Sequence, residues 1–236
     1  MFYFFRIYEQ FWKMKLELIK TSDGSATFYL SDYDDHYHSV NGAVTESEYV
    51  FIEKGYLFNQ APAPGVLEIG FGTGLNCLLT ANEAQLKKRP TFYTAIEKNP
   101  VPQEKAMQLA YDELIPENGH LLFPAIHSCK WNIHVEISPW FTLLKIRVDF
   151  TQPELNLTGK YDIIYFDAFG PDKQPEMWKA ELLLNLFEIT NNNGVFVTYS
   201  AKGKVRRNLA AAGYNVERLP GPPGKKQMLR AIKVIA

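Results

Sequence analysis

Residues 66–76, VLEIGFGTGLN, pass from a short apolar run through glycine at every second position into a helix-forming segment. No other stretch constrains the fold as much. Residues 66–69 read as a short apolar strand. Gly70, Gly72 and Gly74 carry no Cβ to block a tight turn, and the helix that follows offers unpaired backbone N–H groups at its start. A ligand can therefore approach bare backbone at this point. The G-x-G-x-G spacing differs from the G-x-G-x-x-G dinucleotide fingerprint, and no Lys-Ser or Lys-Thr pair follows as in a P-loop.

The alternation continues along the chain. Periodicity predicts strands at 91–96, 131–137, 143–148, 161–166, 194–199, 214–219 and 227–235, with helices over 75–88, 102–114, 175–190 and 202–212. This order implies an α/β doubly wound, mostly parallel sheet covered on both faces. Only PGPPGKK joins the last two strands, too little for a crossover, so they should pair antiparallel. Before residue 61 the pattern differs. KLELIKT and ATFYLS flank the turn-former Asp23-Gly24 as a β-hairpin, a polar stretch follows, and a helix is expected over 46–53. Residues 1–60 thus read as an N-terminal extension and 61–236 as the main domain of one compact unit, with no internal repeat.

A net charge of −1 gives no overall pull towards nucleic acid or membrane, yet the charge is uneven. From residue 201 onward Lys202, Lys204, Arg206, Arg207, Arg218, Lys225, Lys226, Arg230 and Lys233 face a single acid, Glu217. Cys77 and Cys129 are far apart and form no CxxC, which suits a reducing compartment and excludes a disulfide framework or zinc site. Arg6, Glu9, Gln10 and Lys13 interrupt the aromatic N-terminus, so no secretory leader is expected there. No apolar run approaches the length of a membrane span, and a cytoplasmic location is the expectation. Two readings of residues 1–13 stay open: a start upstream of Met14, and an N-terminal helix packed on the domain.

Three strand-end carboxylates suggest chemistry. Glu97 closes the second strand of the main domain, where doubly wound folds place an acid that accepts from ribose hydroxyls. Asp149, beside Phe150, offers an acceptor for an adenine amino group next to a ring that can stack on the base. Asp167 closes YDIIYF at the carboxyl edge, where it can orient an amine and take up its proton. The segment DYDDHYH presents Asp34, Asp35, His36 and His38, but their spacing matches no compact site and no metal is expected.

The acid-x-G-x-G-x-G loop, an acid ending each of the next two strands, and an antiparallel final strand resemble the class I S-adenosylmethionine methyltransferases. The resemblance implies a seven-stranded sheet and S-adenosyl-L-methionine as cofactor. Glu68, Gly70, Phe71, Gly72, Thr73, Gly74 and Asn76 would then hold the methionine part, Glu97 the ribose, and Asp149 with Phe150 the adenine. DAFGPDKQPEMW, TYSAKGKVRRNLAAAGYNVERLPGPPGKKQML and DYDDHYHSVNGAVTESEYVF narrow the resemblance to the methyltransferase domain of MnmC and its stand-alone form MnmD, over residues 32–229. That family methylates the primary amine of 5-aminomethyl-2-thiouridine at the tRNA wobble position.

The same resemblance implies Asp167 as catalytic residue and Asp35, Tyr37, Ser39, Glu46 and Phe169 around the nucleoside, with Tyr37 placed to stack on a splayed base. Lys202, Lys204, Arg206, Lys225 and Lys226 would meet phosphates of the anticodon loop from the rim of the site. The chain differs from MnmC in leaving no room for a flavin oxidase domain, so a separate enzyme is expected to supply the amine. It also carries KIRVDF where the family often has Gly before the acid at Asp149. Two competing functions are an aminopropyl transferase acting on small amines and an RNA-binding relative without catalysis.

Overall fold

The computed structural model describes residues 15–152, 155, 157 and 159–234. Both readings of residues 1–13 lie outside the described residues. The chain begins with β1 (Leu16–Lys20), β2 (Ala26–Leu30) and a short β3 (Asp35–His36), which form a separate antiparallel sheet. The hairpin turn carries Asp23, whose carboxylate accepts from Thr21, Ser25 and the Thr45 N–H, tying the hairpin to α1 (Ala43–Ser47). Burial works against these bonds, but they dominate and hold Asp23 well below the usual carboxylate range. The helix expected over 46–53 starts earlier, as α1, and runs on as a wide π turn over Glu48–Tyr56.

The main sheet contains β4 (Gly65–Ile69), β5 (Thr91–Glu97), β6 (His134–Ser138), β7 (Phe141–Arg147), β8 (Tyr161–Phe166), β9 (Thr190–Thr198), β10 (Asn215–Pro220) and β11 (Gln227–Ile232). Its order is β10-β11-β9-β8-β4-β5-β7-β6. Strands β7, β5, β4, β8 and β9 run parallel, while β11 is antiparallel to both β9 and β10. The sheet has eight strands, as many as the periodicity predicts and one more than the seven the resemblance implies. The extra one is β6, which turns back at Pro139-Trp140 to pair antiparallel with β7 and so forms an edge strand. Chain order reverses between β4 and β8, which opens a crevice at their carboxyl ends.

Helices α2 (Leu75–Lys87), α3 (Gln103–Ala106), α4 (Gly119–Ser128), α5 (Ala180–Ile189) and α6 (Gly203–Ala212) cover the sheet. The helix expected over 102–114 is broken: after α3 come two 3-10 turns, separated by Ala110 in the left-handed region at φ 51°. Strand alternation sends residues to two cores. Ile163 and Tyr165 join Val66, Val195 and Val197 on the face covered by α2 and the N-terminal extension. Ile164 and Phe166 join Leu67, Ile69 and Phe196 under α5 and α6. Each fully buried side chain of this size stabilises the fold by roughly 1.5–3 kcal/mol.

Gly55 and Arg89 help to bind the extension to the main domain. Gly55 of the π turn lies so near the sheet that a Cβ there would sit 3.0 Å from both Tyr165 and Val197. The Arg89 guanidinium donates to the carbonyls of Tyr56, Asn59 and Ala61 and lies 4.5 Å from the centre of the Tyr56 ring.

Candidate active site

A cavity of about 500 Å³ opens at the carboxyl ends of the parallel strands. Its floor is the glycine turn. The N–H groups of Gly70 and Phe71 both donate to the carbonyl of Ile96 (3.0 and 3.2 Å), which seals the turn against β5. Gly70 has φ 93°, and a Cβ there would stand 2.5 Å from the carbonyl oxygen of Asp167. Only glycine fits between the end of β4 and the end of β8. At Gly72, φ 50°, a Cβ would meet the Tyr37 ring at 3.0 Å, so the N-terminal extension lies directly over the turn.

The three strand-end carboxylates all line this cavity. Glu97 accepts from the N–H groups of Gly72 (3.0 Å) and Asn99 (2.7 Å). Burial raises its pKa despite these bonds. Burial acts on Asp149 in the same sense, but Lys98 (2.8 Å) and Thr151 outweigh it and hold the group down to about 2. Asp167 behaves otherwise. Burial dominates and pushes its carboxyl up to about 7, with the nearby Glu46 acting in the same direction and the Asn76 amide and Lys225 opposing. The Asn76 side-chain N–H donates to Asp167 at 2.8 Å and to Glu68 at 3.0 Å.

Glu68, Thr73, Gly74 and Asn76 stand behind the cavity wall. Glu68 is fully buried, and burial followed by the Asp167 charge raises its pKa well above the carboxylate range. It holds the amide that holds Asp167. Thr73 is fixed by two histidines: its hydroxyl meets His38 Nε2 at 2.7 Å, and its carbonyl accepts from His127 Nε2 at 3.1 Å. Burial, followed by the charge of Lys225 for His38 and of Lys145 for His127, lowers these imidazoles to about 3 and about 4. Both are neutral near pH 7.

Asp35, Tyr37, Ser39, Glu46 and Phe169 line the same cavity as Gly70, Phe71, Gly72 and Phe150. Tyr33 stacks on Phe169 with ring centres 4.8 Å apart and planes 11° from parallel. The basic residues are not brought together there. Of the expected set only Lys225 lines the cavity; Lys202 pairs with Asp172 at 2.7 Å, and Lys204, Arg206 and Lys226 are exposed elsewhere. Among the described residues no cluster of three His, Cys, Asp or Glu could hold a metal, and no helix is long and apolar enough to cross a membrane.

Sequence reasoning missed Tyr33, His38 as a loop support, Lys98, Gln174 and Tyr199. The last had a signal: Tyr199 follows β9 at the carboxyl edge, as Asp167 follows β8, and its hydroxyl donates to the Ala168 carbonyl at 2.9 Å.

A family profile described as S-adenosyl-L-methionine-dependent methyltransferase matches residues 134–234. The tRNA 5-methylaminomethyl-2-thiouridine biosynthesis bifunctional protein MnmC of Leptospira interrogans is 30% identical over 222 residues, covering 84% of this chain and 32% of that protein. The protein of the same name from Pseudoalteromonas atlantica is 31% identical, over 91% of this chain and 34% of its own length. The chain spans about a third of the length of these curated relatives. In fold it resembles MNMC2 from Aquifex aeolicus (TM-score 0.71, 23% identity, 98% of this chain and 75% of that one). Spermidine synthase from Thermotoga maritima shares the fold more distantly (TM-score 0.58, 14% identity, 94% and 70%). The family profile and the sequence relatives support an MnmC methyltransferase-like domain in this chain, and the solved structures share its fold.

Proposed function

We propose that the chain transfers the methyl group of S-adenosyl-L-methionine to the primary amine of 5-aminomethyl-2-thiouridine at the wobble position of tRNA, giving the 5-methylaminomethyl nucleoside. The observation that carries this reading is Asp167, a carboxylate raised to about 7 that stands against the glycine turn in a cavity walled by aromatic rings. A base tuned near neutrality is suited to removing a proton from an amine.

The residues present fit the donor. The cradle at Gly70 and Gly72 has no room for a Cβ, Glu97 stands at the strand end ready for hydroxyl donors, and Asp149 with Phe150 offers an acceptor beside a ring. Bound donor supplies a methyl group activated by its sulfonium. The chain's own part is to orient the acceptor amine with Asp167, accept one N–H proton on that carboxylate as the N–C bond forms, and exclude water with Tyr33, Tyr37 and Phe169. The exposed basic side chains of α6 and the last turn would meet phosphates of the anticodon loop.

The carboxylates of Asp35, Glu46 and Asp167 in one cavity also suit a polyamine, which keeps aminopropyl transfer as a second reading. One experiment separates them. The purified protein is incubated with S-adenosylmethionine and tRNA from a strain lacking this gene, and the digested nucleosides are identified by mass spectrometry. Conversion of the aminomethyl nucleoside to its methylaminomethyl form supports the proposal. An unchanged nucleoside, with putrescine consumed in the presence of decarboxylated donor, overturns it.

A further inference from the structure

Lys225 reaches into the cavity from the β10–β11 turn and ends between two groups. Its ammonium pairs with the Glu46 carboxylate at 2.6 Å and lies 3.8 Å from the centre of the Tyr199 ring. The turn is pressed onto the extension: a Cβ on Gly224 would overlap Asn41, and the Tyr49 hydroxyl donates to the Pro220 carbonyl at 3.1 Å. Glu46 is 6% exposed, and its side chain makes no other ion pair or hydrogen bond among the described residues. Tyr199 is anchored through its hydroxyl to Ala168, next to Asp167. A carboxylate and an aromatic face meeting at one point form a receptor for an ammonium ion. The terminal –CH2–NH3+ of lysine is the same chemical group as the aminomethyl arm of the proposed acceptor.

We infer that Glu46 and Tyr199 form a recognition site for the acceptor's primary ammonium, and that Lys225 fills this site in the free protein as an internal stand-in. This rests on the amine acceptor proposed above, whose ammonium gives up one proton to solvent before the neutral amine attacks and passes its second to Asp167. Because it is tethered, Lys225 competes at an effective concentration in the millimolar range or higher, so a small free amine is excluded. A tRNA held by many other contacts displaces it. The side chain, 30% exposed in its present position, then turns outward beside Lys226 to face phosphate. The exchange makes entry of the amine depend on the rest of the RNA.

The test uses methylammonium chloride as probe, with sodium chloride at equal ionic strength as control, at pH 8. Lys225→Met and Lys225→Gln should each bind methylammonium at least about tenfold more tightly than the unaltered protein by calorimetry. Adding Glu46→Gln should abolish that gain. No gain in either variant, with circular dichroism unchanged, overturns the inference, as does a gain that survives Glu46→Gln. The readout needs no methyl transfer. A chain that leaves tRNA unmodified yet gains methylammonium binding loses the proposed acceptor and keeps the ammonium site; a chain that methylates tRNA but gains no binding loses the site alone.

Discussion

Asp167 connects two parts of the chain 91 positions apart, since its carboxylate rests on the Asn76 amide. Its raised pKa means the folded protein holds that proton more tightly than the unfolded chain does. The associated stability is fully present below about pH 4 and is lost as pH rises through about 7. Asp167→Asn should therefore stabilise the fold by about 1–3 kcal/mol at pH 8, less than the full shift because the group faces the cavity, and by nothing near pH 3. Urea denaturation at the two pH values measures this. The same variant should lower kcat at least about a hundredfold with donor affinity nearly unchanged. In the unaltered protein kcat/KM should rise with pH through about 7, as the carboxylate forms. Asn76→Ala removes a bond that lowers the Asp167 pKa, so that rise should move to higher pH; an unmoved profile would take Asn76 out of the mechanism.

At the level of elements, the parallel strands were legible because their alternation feeds two cores, as at Ile163, Ile164, Tyr165 and Phe166. The positions of the carboxylates Glu97, Asp149 and Asp167 were legible for the same reason, since the residues that end or follow a strand are fixed once the strand is. Helix α4 was not, because Pro124 lies inside it and reads as a breaker. Nor was the break at Ala110, where φ 51° comes from packing and leaves no mark on residue type. His38 was visible only as a metal ligand, because its partner Thr73 lies 35 positions away. The extension depends on Arg89, whose fork serves three carbonyls that a lysine ammonium cannot all reach. Arg89→Lys should cost about 2–4 kcal/mol in a denaturation experiment, through carbonyls left unpaired. It should also raise KM for tRNA more than it weakens donor binding, because the acceptor wall shifts and the glycine turn does not.

For the whole molecule, the basic C-terminal portion divides into internal and external charges. Lys225, Arg230 and Lys202 pair with Glu46, Glu217 and Asp172, whereas Lys204, Arg206 and Lys226 are exposed. Replacing those three with Ala should weaken tRNA binding and reduce the slope of log K against log salt by roughly 2. An unchanged slope would place the RNA on another face. Sequence reading expected Lys202, Lys204, Arg206, Lys225 and Lys226 at the rim, and composition cannot tell a paired lysine from a free one.

The central position of β4 also bears on how the protein is made. Its neighbour β8 arrives late: the Asp162 carboxylate that accepts the Gly65 N–H lies 97 residues further along. At a synthesis rate of about 5–20 residues per second, one edge of β4 therefore waits roughly 5–20 s for its partner. During that interval on the ribosome the strand that leads into the glycine turn is an open template for wrong pairing. Nascent chains should accordingly depend on chaperones until β8 emerges.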